Sequence, residues 1–558
     1  MQQHFRKFIP AIIVLLVLAS CSKTNKEGKM IPKTAGFVVH INAKSLSEKA
    51  NMAELRKQDW YEEWTSKLET DSATPAFLKK VWASPSSTGV DTAGNFFVFG
   101  ERNLDKDDYN VYVSGELKDA NKFSATLKDA YAEGQISKEG DINILPIKGH
   151  LMVTWNNEHF IVAVESSMTT THAFHDSTAN ESPSPNLSEL KSNCVKFYTL
   201  KDDENLTRND KFTELMNTEG DVHGWMNFDN LMDMGPEQMG MLAMFKLDPF
   251  IKGHLFTYTV NFEKGKAMLK TKNYMSDELS KIIKKYSDGQ VSTDMLKYIP
   301  SKNVVGVLAW HFDPKMFKEL IALSGMDGFI DLMISRQEGF TTDDVIKAFK
   351  GDLVISVSDM DPRKDSSMEK FHSKILVAAS IGDKEAFNKI LATIKKEVGN
   401  EKDAHINSND KYFVISTDAD MANQYLAANK TDQPFINMVS GKPIGGYVNF
   451  KLIMQSLEPV IKDSLEHEVW NESVKFWDNA VATGANYSNG GLNMQYEVNL
   501  TDQNTNSLQQ IIHYTTRMAT IEKEHHKEIE EKFKTKPVVS DTMAIKAKPL
   551  PPGKKKKK

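Results

Sequence analysis

Apolar and polar positions along this chain fall into two rhythms, a two-residue alternation and a three-to-four-residue repeat, and the two recur in a fixed order. From Val111, VYVSGELKDANKFSATL reads as an apolar strand, an aspartate, then Phe123 and Leu127 on one helical face. From Ile375, ILVAASIGDKEAFNKIL repeats that layout, with Asp383, Phe387 and Leu391 in the matching places. Asp119 and Asp383 suit helix N-caps, because a carboxylate there accepts hydrogen bonds from first-turn amides that lack a partner inside the helix. Further on, NNEHFIVAVES from Asn156 and SNDKYFVISTD from Ser408 each read as a turn followed by a strand.

A shorter unit recurs four times: GFVVHINAKSL from Gly36, GWMNFDNLM from Gly224, GVLAWHFDPKMF from Gly306 and GGYVNFKLIM from Gly445. Each is a glycine-led strand running into a helix. Stacked, they give a polar column of His40, Asn227, His311 and Asn449, then an apolar column of Ile41, Phe228, Phe312 and Phe450. Asn42, Asp229 and Asp313 follow as expected N-caps, with Lys451 the exception. Both halves also end alike. FTYTVNFEKGKAMLKTKNYM and NYSNGGLNMQYEVNL read as hairpins turning at Lys264-Gly265 and Asn489-Gly490, each followed by a helix. Several matches in one order predict an α+β chain of two tandem homologous halves, 31–290 and 295–520, each a mainly antiparallel sheet with packed helices.

The flanks carry other information. Arg6 and Lys7 precede an apolar run, Ile9 to Leu18, that is too short to span a bilayer as a helix, which takes about 20 residues. It fits a secretory h-region. Leu18-Ala19-Ser20-Cys21 resembles the lipobox of bacterial lipoproteins, so residues 1–21 are expected to be a lipoprotein signal peptide and lipobox. Cys21 is then the lipid attachment point, with palmitate among the expected acyl chains, and 22–30 is a tether. Ser22 after the cysteine favours the outer membrane, and the basic SKTNKEGK favours its periplasmic face, with the cell surface as the alternative. With Cys21 acylated, Cys194 has no disulfide partner in the chain. It lies in NCVKFYTL, which reads as strand. HDSTANESPSPN reads as an excursion within the first half. Residues 521–558 read as a charged helix end and a disordered Lys/Pro-rich tail.

Charge narrows the partners. The tail from Lys534 has nine lysines and one aspartate, and Arg6 and Lys7 add two positive charges, so a chain of net −6 has a body near −16. That body repels nucleic acid, and no nucleic-acid partner is expected.

Motifs for catalysis are absent: no GxSxG elbow, HExxH pair, P-loop or strand-borne GxGxxG. Glu522, His526 and Glu530 share one helix face, a pattern common on solvated charged helices. Met232, Met234, Met239, Met241 and Met244 form a soft, adaptable stretch suited to an apolar groove or partner surface, or to Cu(I). The column of His40, Asn227, His311 and Asn449 could line a shared cleft, or mark where strands emerge to solvent. No catalytic residue, metal or cofactor is expected. The candidates for a ligand or partner surface are that column with Met232, Met239 and Met241.

The signal-lipobox start, the opening IPKTAGFVVHINAKSL and its echo IPSKNVVGVLAWHF are together similar to a family of Gram-negative lipoproteins catalogued as domain of unknown function 4836. The resemblance implies an envelope lipoprotein of duplicated α+β build and carries no functional residue with it. The expected function is a membrane-anchored, non-enzymatic binding or scaffolding module with an envelope protein as partner. The alternative is an envelope hydrolase acting on glycan or peptide. A carboxylate beside His40 or His311, or two converging carboxylates in a cleft, would favour that alternative. The family also implies a bacterial O-glycosylation signal, Asp-(Ser/Thr)-X, which points to Ser72, Thr92, Ser177 and Thr542, with Ser464 the weakest match.

Overall fold

In the computed structural model the described residues are 28–534, apart from 71–75, 104–107, 148–150, 167–186, 232–244, 336–339, 363–370, 399–403 and 462. Cys21, Ser72, Ser177, Thr542 and the methionines Met232 to Met244 lie outside them. The first half of the chain supplies β1 (Phe37–Asn42), β2 (Asn95–Asn103), β3 (Asp108–Glu116), β4 (Ser137–Glu139), β5 (Ile142–Ile147), β6 (Leu151–Trp155), β7 (His159–Ser166), β8 (Val222–Asn227), β9 (Leu255–Glu263) and β10 (Lys266–Tyr274). The second supplies β11 (Val304–His311), β12 (Phe349–Pro362), β13 (Phe371–Ile381), β14 (His405–Ser408), β15 (Tyr412–Ser416), β16 (Ile444–Asn449), β17 (Trp477–Ser488) and β18 (Gly491–Leu500).

Among the described residues all 18 strands form one antiparallel sheet. From one edge the order is β4-β5-β6-β7-β3-β2-β1-β8-β9-β10, and from the other β14-β15-β13-β12-β11-β16-β17-β18. The two runs meet where β10 pairs with β18, from Lys266↔Asn499 to Asn273↔Leu492. The sequence predicts a sheet in each half. Instead the two are continuous, because pairing β10 with β18 satisfies backbone groups that each would otherwise expose at an edge.

Local signals act as expected at several points. Asp119 accepts from the amides of Asn121 and Lys122 and opens the helix Ala120–Ala130. Asp383 accepts from the amide of Ala386 at 2.8 Å and opens Lys384–Val398. Phe123 and Leu127 are fully buried, and Phe123 stacks on Phe160 and meets Trp155 edge-on. Phe387 meets Phe349 and Phe413, both edge-on. Asn489 and Gly490 both take positive φ, 48° and 80°, and close the β17–β18 hairpin.

The first half buries both sheet faces. Phe96 faces a core with Ile41, Phe123 and Phe160, while Phe97 and Phe99 face one with Val38, Tyr112 and Ile161. The terminal helix Ser507–Lys534 runs unbroken through the expected boundary at residue 520 and returns to the first half. Leu508 and Ile512 enter that first core, and Ser507 Oγ donates to the Lys266 carbonyl at 2.8 Å.

Two expectations are corrected. Cys194 sits in a helix, Leu187–Phe197, not a strand, with Leu190, Cys194 and Phe197 on its buried face. The caps of the second and fourth repeat units are Asn227 and Asn449, two residues before the expected Asp229 in the second and two before the exceptional Lys451 in the fourth. Asn227 Oδ1 accepts from the Asp229 amide and Asn449 Oδ1 from the Leu452 amide.

Candidate functional site

The polar column separates into four environments. His40 lies mid-strand in β1, opposite His223 of β8 and Phe97 of β2. Its Nδ1 is 2.9 Å from His223 Nδ1, and its Nε2 is 2.9 Å from the position of Asn95 Oδ1, which a turn of the amide exchanges with its NH2 group. His223 Nε2–H donates to the Thr218 carbonyl at 2.8 Å, which leaves His223 Nδ1 as an acceptor for the His40 Nδ1–H. A neutral His40 then needs a donor at Nε2, which Asn95 supplies when its NH2 group faces the ring. Burial holds His40 at a pKa of about 4, with the neighbouring His223 adding to the effect, and it lowers His223 as well.

Asn95 connects this chain of bonds to the surface. It lines a cavity of about 450 Å³ over β2, β3 and the β6–β7 turn, together with Phe97, Ser114, Glu116, Glu158 and His159. Phe197 and Tyr198, at the end of the Cys194 helix, form its far wall with Met30 and Ile31. Burial, reinforced by the charge of Asp91, raises the Glu116 carboxyl above the ordinary range. Burial lowers His159, against the pull of Glu158. Glu116 is the cross-strand partner of His159, whereas Ser114 is opposite Ile161. The cavity therefore brings two carboxylates and an imidazole together without setting the serine in register with the imidazole. Cys194 lies beneath this wall, fully buried, its thiol raised to about 12.

His311, at the end of β11, has a carboxylate beside it. Its Nδ1 is 2.7 Å from Asp352 Oδ1. Ser380 Oγ donates to the other oxygen, Asp352 Oδ2, at 3.0 Å, and accepts from the Asp352 amide. Serine and histidine are thus on opposite sides of the carboxylate, so the imidazole cannot take the serine proton. The Cδ2–Nε2 edge of His311 packs on the Gly289 backbone, where an added Cβ would sit 1.8 Å from Cδ2.

Asn227 lines a second, more open hollow of about 440 Å³ with Arg208, Lys211, Trp225 and His254. Asn449 caps its helix away from both hollows. The structure therefore does not gather His40, Asn227, His311 and Asn449 into one cleft. Sequence reading missed His223, Asn95, Glu116 and His159, and the available signal was the alternation that puts each on the face of its strand opposite a neighbouring polar residue. Thr92, the one described residue of the four glycosylation candidates, sits in a turn where Asp91 accepts from the Ala93 amide. Among the described residues no group of three His, Cys, Asp or Glu side chains could hold a metal, and no helix is long and apolar enough to cross a membrane.

Sheet, helices and cavity define a mixed helix-and-strand protein built on one broad antiparallel sheet. The chain belongs to the DUF4836 family, described as a domain of unknown function, whose profile matches residues 28–437. No curated protein matches it. Among solved structures it is similar to crystal form III of TP0453, at 12% identity over 47% of this chain and 80% of that one, with a TM-score of 0.23. Crystal form I of TP0453 is similar at 10% identity, over 75% and 97%, with a TM-score of 0.19.

Proposed function

We propose that this protein is an envelope lipoprotein, anchored through Cys21 at the outer membrane, that works as a non-enzymatic binding or scaffolding module. The observation that supports it best is the wall of the 450 Å³ cavity, where Asn95, Ser114 and Asn156 stand among Phe97, Phe197 and Leu200. A hollow in which hydrogen-bonding groups and the charged Lys29, Glu116 and Glu158 stand beside aromatic rings suits recognition of a ligand. The histidines His40 and His223 behind it are spent on internal bonds.

The module is two tandem homologous halves. Supporting this, β7-β3-β2-β1-β8-β9-β10 and β15-β13-β12-β11-β16-β17-β18 follow one connectivity, and the Asp119 and Asp383 helices follow β3 and β13. Lys270 of β10 pairs with Gln495 of β18, five residues beyond Gly265 and Gly490 respectively, so a local two-fold axis passes through that pair.

The second reading, a hydrolase, draws on Asp352 beside His311 and on Glu116 and Glu158 in one cavity. Against it, Ser380 bonds the carboxylate and not the imidazole, and Gly289 covers the free ring edge. Affinity purification from membranes after mild crosslinking tests the choice. A stable envelope partner recovered in constant ratio is the expected result. Recovery of the chain alone, with glycan or peptide cleavage that is lost in Asp352→Asn or Glu116→Gln, would establish the hydrolase.

A further inference from the structure

We infer that the second half of the sheet carries a trough for the acyl chain of a membrane lipid; this rests on the binding-module reading and names its ligand class. Cross-strand pairing aligns Ile355, Leu308, Gly446, Ala482, Tyr496 and Leu269 in one row. Two residues along each strand, a second row on the same face holds Val357, Gly306, Val448, Ala480, Val498 and Ala267. The chain is 26% charged, yet neither row has a charged side chain, and the Tyr496 hydroxyl is their one polar side-chain group. Leu308 is 44% exposed, Tyr496 40% and Val448 37%, whereas the opposite face of the same strands buries Val307, Ala309 and Val354.

The first half shows what fills this place when it is filled. There Gly224 pairs with Tyr258, whose ring lies over the glycine, 1.9 Å from where a Cβ would be. In the second half Gly446 pairs with Ala482. A Cβ on Gly446 would meet nothing closer than the Ala482 methyl at 3.6 Å. Packing within the chain therefore does not require glycine at 446, and a glycine inside a strand marks close approach by something else. Leu308 and Tyr496 are the walls of the trough, and Gly446 and Ala482 its floor.

Size and chemistry select the occupant. The empty floor lies between Leu308 and Tyr496, three strand spacings or about 14 Å apart, and with the second row, where Val448 stands, the apolar face is also about 14 Å along the strands, or roughly 200 Å². A stable protein interface takes about 800 Å² per partner, so a second copy of the chain would be held too weakly. β11, β16 and β17 are each paired on both sides, so an extended peptide finds no open edge. A hydrocarbon chain needs neither an edge nor a hydrogen bond, and its burial beside Leu308 and Tyr496 removes apolar surface from water on both partners.

Titration of the full mature chain with cis-parinaric acid, a fluorescent 18-carbon fatty acid, tests this. Saturable binding is expected, weakened at least tenfold by Ala482→Tyr, which copies the filling of the first half, and by Leu308→Asp at an exposed position. Circular dichroism should show both variants folded. Absent saturable binding, or binding equal in wild type and the folded Leu308→Asp variant, would overturn the inference. So would concentration-dependent self-association abolished by Leu308→Asp, which would make a second copy the occupant. Loss of the acyl probe while the crosslinked partner is still recovered would sink this inference and leave the binding module standing.

Discussion

The Nδ1 atoms of His40 and His223 lie 2.9 Å apart between adjacent strands, and both rings are buried. Such a pair can share one proton between its facing nitrogens but has no room for two. Both groups have folded pKa values below the ordinary 6.5, His40 at about 4. The unfolded chain therefore binds more protons than the folded one between those values. The stabilisation is complete above about pH 6.5 and is lost as pH falls towards 4, at up to about 3 kcal/mol for His40. Urea midpoints measured at pH 7.5 and pH 5 should differ in the wild type and differ much less in His40→Gln. Equal pH dependence in the two proteins would show that the pair does not control acid stability.

Gly289 should accept no side chain. Its Cβ position is 1.8 Å from His311 Cδ2, so Gly289→Ala must push the imidazole off Asp352, at a cost of about 1–3 kcal/mol. In a His311→Ala background the same change should be close to neutral. Thermal unfolding of the four proteins measures the coupling, and additive effects would mean that the ring does not rest on Gly289.

Cys194 should be inert to thiol reagents. It is fully buried and its thiol is raised to about 12, so almost no thiolate exists at neutral pH. Modification by a disulfide reagent should follow global unfolding in denaturant. Rapid labelling of the native protein would contradict the burial of this helix face.

Removing either helix cap should cost a similar amount. Asp119→Ala and Asp383→Ala each leave first-turn amides without an acceptor, worth about 0.5–2 kcal/mol. A near-zero effect at one site alone, read from denaturant midpoints, would mean that the two helices are not held in the same way.

These caps were legible in the sequence because a cap is local: one oxygen, two or three residues from the amides it serves. The Asn489-Gly490 turn was legible for the same reason. Cys194 is harder to place, because NCVKFYTL, taken alone, looks strand-like, while the helical spacing of Leu190, Cys194 and Phe197 begins upstream of it. Asn227 and Asn449 were placed in a polar column, and their capping role depends on where each strand ends. His40 and His223 are 183 residues apart, and their meeting depends on β8 returning beside β1. The cavity was hidden for a similar reason, since Asn95, Glu116, His159 and Tyr198 come from four separate elements. Nothing in the sequence showed that β10 would pair with β18, because the register of each hairpin is set by its own turn and the open edge it leaves names no partner.

The central claim, a binding module held at the membrane by its own lipid, is tested most directly at Cys21. Membrane fractionation and intact-mass measurement should be made on the wild type and on Cys21→Ala. The wild type should partition with membranes, and its mass should show cleavage before Cys21 and added acyl chains. Cys21→Ala should be released from membranes or stall as the unprocessed chain. A processed Cys21→Ala protein that still partitions wholly with membranes would contradict the account.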